Sequence, residues 1–189
     1  LVTSAGFRFP EAQESLRQLK IATATDLLSG DLARLCRTIE HATGVGHPRL
    51  PDAIAALLAT VGVYRSDYPV LAQVLGAAMA TTIAAEPELA APLEVLADAL
   101  TRPEPAARLQ QLCGAMTAKA VEDCSFYRDA RLVSLNEVGG DPQRFGVSAA
   151  EFHRAAAVRA RLWPNTMTTL PTHDTKRGAD GRARIAVPS

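Results

Sequence analysis

The chain has 189 residues, 48% hydrophobic and only 5% aromatic, so it can form one domain or slightly more around an alanine-, leucine- and valine-rich core. Its formal net charge is zero, which argues against a nucleic-acid-binding protein. No apolar run approaches the ~20 residues of a membrane-spanning helix, so we expect no membrane partner. The first residues lack a basic region followed by an apolar core, which favours a cytoplasmic protein without a signal peptide.

Charge is unevenly distributed along the chain. Residues 1–150 hold 13 Lys/Arg and 17 Asp/Glu, a balance of −4, whereas residues 151–189 hold 7 and 3, a balance of +4. A basic tail for nucleic acid is one interpretation of this split. The arginines are scattered, however, and no aromatic residue lies among the last ones. A solvated surface is therefore the favoured interpretation, and no nucleic-acid partner is predicted.

The first two-thirds of the sequence predict one helix after another. The first helix opens at Pro10 and closes on Gly30, and Asp31 caps the next one. Further helices are predicted from prolines at helix-start positions, which are Pro51, Pro87 and Pro103. The stretch VYRSDYP, residues 63–69, interrupts this pattern and is predicted to connect two helices and to expose its tyrosines.

The last third of the sequence is more polar. RLVSLNEV, residues 131–138, fits a short strand or a piece of helix equally well, and a Gly-Gly-Asp-Pro turn follows it. Ser148 and Glu151 form the pattern of a capping box, which predicts a helix that stops before Pro164. The threonine-rich run Thr166–Leu170 then favours a β-strand.

A histidine and a carboxylate, His173 and Asp174, follow that predicted strand. Polar residues at the ends of barrel strands are frequent catalytic positions. The competing interpretation is an aspartate that caps a turn beside a surface histidine. Both interpretations stay open on spacing alone.

Other catalytic arrangements have weaker support. The histidines lack a short metal-ligand spacing, so no metal site is predicted. No glycine-rich phosphate loop is present, so no nucleotide is expected. Cys124 with His153 or His173 is conceivable as a thiol dyad. However, the three widely spaced cysteines are better interpreted as buried or partly buried thiols of a cytosolic protein.

Polar residues also cluster in AKAVEDCSFYR, residues 118–128. On a helix, Lys119 and Asp123 are four residues apart and can form an ordinary surface ion pair. A sugar-binding site would use the same mixture of hydrogen-bonding groups beside an aromatic ring. The sequence alone does not choose between these two roles.

Four sequence blocks together resemble one family. They are A-K-x-V-E-D-x-x-F-Y-R, L-V-S-L-N-E-V-G-G-D-P, E-F-H and T-H-D-T-K-R, and they occur in that order within residues 113–187. This series is similar to maltooligosyltrehalose synthases, which are α-amylase-clan enzymes built on a (β/α)8 barrel. The resemblance implies a mainly α chain. Residues 1–112 would be a helical insert, and residues 113–189 would return to the barrel with one or two short strands.

The resemblance also implies an activity. The family converts the reducing-end α-1,4 linkage of a maltooligosaccharide to an α,α-1,1 linkage, without a metal or organic cofactor, in trehalose biosynthesis. Asp174 is expected to be a catalytic carboxylate, His173 to bind the same sugar and Lys119 to hold the released glucose. Three further residues are expected to line the substrate pocket: Tyr64, Arg128 and Lys176.

The nucleophile and general acid of the family match no segment of this sequence. The chain also begins with Leu1 rather than Met, so we expect a piece of a longer enzyme that is inactive alone and pairs with the rest of the same polypeptide. Two alternatives remain. One is another α-glucan hydrolase or transferase of the amylase clan, and the other is a non-catalytic helical interaction module.

Overall fold

The computed structural model describes residues 10–128, 133–141, 144, 146–172 and 174–187, with side chains from Ser15 onward. Within these ranges the chain is mainly helical and contains no β-strand. The α-helices are α1 (Pro10–Ala22), α2 (Ser29–Thr43), α3 (Leu50–Thr60), α4 (Ala72–Ala85), α5 (Ala90–Ala99), α6 (Pro103–Met116), α7 (Phe126–Arg128), α8 (Ala149–Leu162) and α9 (Ala179–Ala186). Two π-helices, Thr23–Leu27 and Thr117–Ser125, and three 3₁₀ turns, Pro69–Leu71, Pro87–Leu89 and Val133–Leu135, complete the list of helical elements.

Prolines begin helices where the sequence predicted them. Pro10 and Pro103 are the first residues of α1 and α6, and Pro51 lies in the first turn of α3. Pro87 opens the 3₁₀ turn that leads into α5. Proline suits these positions because its missing N–H would have no partner in the first helical turn.

The predicted helix boundary at Gly30 and Asp31 is wrong. α1 ends at Ala22 and continues as the π-helix Thr23–Leu27, and α2 then begins at Ser29. Gly30 and Asp31 therefore both lie in the first turn of α2, and Asp31 does not cap it. Within the π-helix, Thr23 and Ala24 are buried. The helical run from Pro10 thus changes from α- to π-helix after Ala22 and ends at Leu27, before Gly30.

Residues 14–125 form one compact unit of packed helices. α2 packs against α3, α5 and α6, and α3 packs against α4 and α5. The largest fully buried side chains are aliphatic or methionine: Leu35, Ile39, Leu50, Ile54, Leu57, Leu58, Val61, Leu89, Leu93, Leu96, Leu109 and Met116. This confirms the predicted aliphatic core, in which small alanines such as Ala53 and Ala99 let helices approach closely.

The second compact unit contains the described residues from Phe126 onward, and Pro10–Gln13 are also assigned to it. The predicted cap of α8 is confirmed, because the Ser148 hydroxyl accepts a hydrogen bond of 3.2 Å from the Glu151 N–H. The carboxylate of Glu151 pairs with Arg144. α8 and α9 bury no residue of their own.

The predicted strand at Thr166–Leu170 is wrong for the structure described. This run is an irregular, exposed segment in which Met167 is 93% exposed. A strand needs a neighbouring strand to pair its backbone N–H and C=O groups, and the described residues contain none. The ambiguous segment before Asn136 includes a 3₁₀ turn, Val133–Leu135. The mainly α prediction is confirmed.

The predicted division into residues 1–112 and 113–189 concerns a complete barrel enzyme and stays a prediction. The prediction of buried or partly buried thiols is confirmed, because Cys113 is buried and Cys36 and Cys124 are partly buried, all three as free thiols. Among the described residues, no helix has the length and apolar character needed to cross a membrane.

Candidate functional site

The segment Val61–Ser66, here called the strap, carries Tyr64 and is fastened to α6 by buried polar groups. The Gln110 amide oxygen accepts the Ser66 N–H at 2.7 Å, and the Gln110 amide nitrogen donates to the Ser66 hydroxyl at 3.0 Å. The Cys113 thiol donates to the Val63 carbonyl at 3.3 Å. Buried polar groups need such partners, so these bonds determine the path of the strap. Residues 63–69 lie between α3 and α4, which confirms the prediction that they connect two helices.

Lys20 on α1 holds the other end of the strap. Its ammonium group donates a 2.7 Å hydrogen bond to the Val61 carbonyl, although the residue is only 4% exposed. Burial lowers the pKa of Lys20. Burial also raises the pKa of the Cys113 thiol to about 11. The thiol is therefore protonated at neutral pH and acts as a donor to the strap rather than as a nucleophile.

Tyr64 is joined to a buried acid. Its hydroxyl donates to the carboxylate of Glu122, which is 4% exposed, whereas Tyr64 itself is 38% exposed. The hydroxyl is thus anchored while part of the residue stays accessible. Sequence reasoning included Glu122 in a polar cluster but gave it no role. Its place in the A-K-x-V-E-D block was the signal that could have identified it.

The π-helix Thr117–Ser125 presents Lys119 on the same unit. The Lys119 ammonium lies 2.8 Å from the Asp123 carboxylate, and both side chains are substantially exposed. The predicted ion pair is therefore confirmed, and an exposed pair of this kind contributes only ~0–1 kcal/mol to stability. π-Helical turns inside longer helices occur frequently at functional sites. The geometry leaves the Lys119 ammonium accessible to a ligand.

Asp174 lies in an exposed turn of the second unit. The turn is closed by Thr175, whose hydroxyl donates to the Thr172 carbonyl at 3.0 Å and accepts from the Thr172 N–H at 3.3 Å. Thr175 thus supplies the side-chain bonds that the turn-capping interpretation had assigned to Asp174. His173 lies outside the described residues.

Lys176, the next predicted site residue, is held through its backbone. Its N–H donates a 2.7 Å hydrogen bond to Oε1 of Glu137, which also accepts from the Val138 N–H at 2.9 Å. The other carboxylate oxygen of Glu137 pairs with Arg182 at 3.1 Å. Burial opposes the charge of Glu137, but these donors outweigh it and lower the pKa of the carboxyl group.

The candidate residues are distributed over the two compact units. Tyr64 and Lys119 belong to the unit of residues 14–125, whereas Arg128, Asp174 and Lys176 belong to the unit from Phe126 onward. Arg128 is exposed at the end of α7. Whether all of them line one substrate pocket stays a prediction. The described residues contain no cluster of side chains suited to hold a metal ion.

Comparison with known proteins gives a consistent result, although no family model matches the sequence. The chain is 60% identical over 190 aligned positions to a "Putative maltooligosyl trehalose synthase" of Mycobacterium tuberculosis, in strains CDC 1551 and H37Rv. That alignment covers 100% of this chain and 25% of the relative. The chain therefore spans about a quarter of the length of the curated relatives it matches.

Solved structures agree. The maltooligosyltrehalose synthase of Arthrobacter ramosus matches with a TM-score of 0.77 and 39% identity, over 96% of this chain and 26% of that one. The "DSM5389 glycosyltrehalose synthase" matches with a TM-score of 0.67 and 31% identity, over 93% and 21%. The likeness is thus to synthases of glycosyltrehaloses. The chain is homologous to a segment of maltooligosyltrehalose synthases, which confirms the resemblance seen in its motifs.

Proposed function

We propose that this chain is the part of a maltooligosyltrehalose synthase that holds the released glucose and supplies one carboxylate to the reacting sugar. The observation that carries the proposal is the 60% identity along the whole chain to a segment of a relative with that name. The complete enzyme would be an isomerase that turns the reducing-end α-1,4 linkage of a maltooligosaccharide into an α,α-1,1 linkage. The proposed location is the cytoplasm.

The chemistry follows that of retaining glycosidases. A carboxylate attacks the anomeric carbon and a carboxylic acid protonates the leaving oxygen, with the two groups ~5–5.5 Å apart. We assign both groups to the rest of the same polypeptide, together with the barrel to which residues 113–189 would return. Thr166–Leu170 would pair as a strand only where that polypeptide supplies neighbouring strands.

Asp174 is proposed as a third carboxylate at the reacting glucose. The sugar becomes flattened and positively charged in the transition state, so a fixed negative charge binds it more tightly there than in the ground state. Exposure of Asp174 in a turn closed by Thr175 supports the assignment, because the carboxylate is not needed to close the turn. His173 is proposed to hydrogen-bond the same sugar.

Isomerisation differs from hydrolysis in the fate of the released glucose. That glucose must stay bound, turn over and attack through its anomeric hydroxyl while water is excluded. Lys119 is proposed to hold it. Tyr64, anchored by Glu122, would offer an aromatic surface, and the exposed Lys119 ammonium would donate to sugar hydroxyls. Arg128 and Lys176 are proposed to line the same pocket.

The test compares the 189-residue chain with the complete polypeptide that contains it, each incubated with maltopentaose. The complete polypeptide should remove reducing ends without releasing an equal amount of glucose, and the chain alone should do neither. Release of new reducing ends by the complete polypeptide would instead identify an α-glucan hydrolase. Absence of turnover in both would support the helical interaction module and would reject the proposal. Turnover by the chain alone would show that the nucleophile and acid are wrongly assigned.

A further inference from the structure

We propose that Glu137 is a positioning residue, which holds the turn carrying Asp174 in its working geometry through the backbone of Lys176. This inference rests on the proposed function of Asp174. It assigns a role to Glu137 of the L-N-E-V-G-G-D-P block, a residue for which the sequence had suggested no function. The hydrogen bond from the Lys176 N–H to Oε1 of Glu137, 2.7 Å long, connects positions 39 residues apart.

The location of Glu137 suits a residue that positions a neighbouring segment rather than one that binds sugar. Its side chain is only 12% exposed, and its second oxygen pairs with Arg182 at 3.1 Å. Oε1 accepts two backbone N–H groups, whereas Oε2 lies in the ion pair with Arg182 without the geometry of a hydrogen bond. Arg177, the residue after Lys176, donates a 2.8 Å bond to the carbonyl of Asn136. Asn136 and Glu137 thus hold two successive residues of the segment that follows Asp174.

The backbone beneath Glu137 is itself fixed. Asn136 is buried, and its side-chain amide nitrogen donates a 3.0 Å hydrogen bond to the Phe126 carbonyl. The Glu137 carbonyl accepts a 2.7 Å hydrogen bond from the Gly140 N–H, which closes a turn. Gly139 lies within this turn and has a positive φ of 74°. A Cβ added at Gly140 would lie 2.6 Å from the Leu135 carbonyl oxygen, so glycine is required there. Because its backbone is held in this way, the carboxylate of Glu137 can fix the position of the segment that follows Asp174.

The experiment uses the complete polypeptide with the variants Glu137→Ala and Glu137→Gln. The control is Glu151→Gln, which removes the charge of another Glu–Arg pair in the same unit, between Glu151 and Arg144. Alanine removes the contacts with Lys176, Val138 and Arg182, whereas glutamine keeps a neutral oxygen for the Lys176 N–H. Each variant is measured for kcat and KM with maltopentaose. Deuterium exchange at the Lys176 amide and the thermal midpoint are also recorded.

We expect Glu137→Ala to lower kcat by about 10- to 10²-fold, since small displacements of a catalytic group have effects of this size. KM should change by less than about 3-fold, because a misplaced Asp174 mainly loses transition-state binding. Exchange at Lys176 should accelerate in the same variant. Glutamine should restore part of both effects, and Glu151→Gln should match the unmodified protein. A variant that merely loses stability would lower its thermal midpoint without this split between kcat and KM.

Normal kcat in Glu137→Ala, or unchanged exchange at Lys176, would overturn the inference. If Glu137→Ala fails to fold, Glu137→Gln decides by the same criteria. Asp174→Asn separates this inference from the proposed function. Impaired Asp174→Asn with fully active Glu137→Ala rejects only the positioning role. Normal Asp174→Asn rejects the catalytic role of Asp174, and the positioning role falls with it even if exchange at Lys176 accelerates in Glu137→Ala.

Discussion

Residues 14–125 bury aliphatic side chains and a methionine against one another, whereas the described residues from Phe126 onward are joined mainly by hydrogen bonds and ion pairs. Every member of the buried hydrophobic cluster lies between Ala24 and Met116. Among the described residues of the second unit, only Phe126 and Asn136 are buried. Its α8 leaves large apolar side chains such as Phe152 and Leu162 exposed.

The difference indicates which part carries its own stability. Apolar burial contributes roughly 25 cal/mol per Å², so the dozen fully buried large side chains make the first unit the main source of hydrophobic stabilisation among the described residues. Exposed polar contacts add little to stability, and exposed apolar side chains such as those of α8, where they form a continuous patch, are typical of surfaces that contact other protein. Under the proposed function, that other protein is the rest of the same polypeptide.

The largest expected effect is on the core of the first unit. Leu57 is fully buried and Leu162 is 51% exposed. Leu57→Ala should lower the free energy of unfolding by ~2–5 kcal/mol through lost burial and a cavity. The matched change Leu162→Ala should cost no more than ~0.5 kcal/mol in this chain. Urea denaturation of both variants checks this, and equal losses would contradict the contrast between the units.

Asp174→Asn should affect catalysis rather than stability. In the complete polypeptide we expect kcat to fall by at least ~10²-fold with little change in KM, because a fixed charge aimed at the transition state is removed. The fold should survive, since the turn is closed by Thr175 and the substitution is nearly isosteric. Steady-state kinetics and the thermal midpoint are the measurements. A near-normal kcat would remove Asp174 from the catalytic group.

Lys119→Ala tests the functional role of the better-packed unit. If Lys119 holds the released glucose, its loss should let that glucose escape, so the ratio of free glucose to α,α-1,1-linked product should rise. Stability should fall by only ~0–1 kcal/mol, the range of an exposed ion pair. Chromatography of the products from maltopentaose measures the ratio. An unchanged ratio would leave Lys119 as a partner of Asp123 and nothing more.

The smallest effect is a pH dependence of the second unit. Burial raises the pKa of Glu137, but the backbone N–H groups of Lys176, Val138 and Arg177 and the charge of Arg182 together lower the folded pKa. The stabilisation is therefore complete above the unfolded pKa of about 4.3 and is lost as the pH falls through the lower folded value. The protection of the Lys176 amide against deuterium exchange, measured relative to the intrinsic rate at each pH, should fall over that acidic range. Glu137→Gln should remove this pH dependence, and its persistence would assign it to another group.

The sequence supplied the candidate site residues, but it did not supply most of their contacts. The ion pair between Lys119 and Asp123 followed from helical spacing alone. Glu122 and Glu137 were overlooked because their partners, Tyr64 and Lys176, lie 58 and 39 residues away. Contacts over such separations depend on how the helices pack, which no local pattern expresses.

The sequence by itself determined features that arise within a few residues: the helix starts at Pro10 and Pro103, the cap at Ser148 and the family motifs. These depend on backbone restriction and local hydrogen bonds, so short stretches encode them. Only the tertiary structure decided the change from α- to π-helix after Ala22 and the absence of a strand at Thr166–Leu170 in the part described. In the first case, the buried residues Thr23 and Ala24 lie where the helix type changes. In the second case β-propensity had no neighbouring strand to pair with, and a strand cannot satisfy its own backbone.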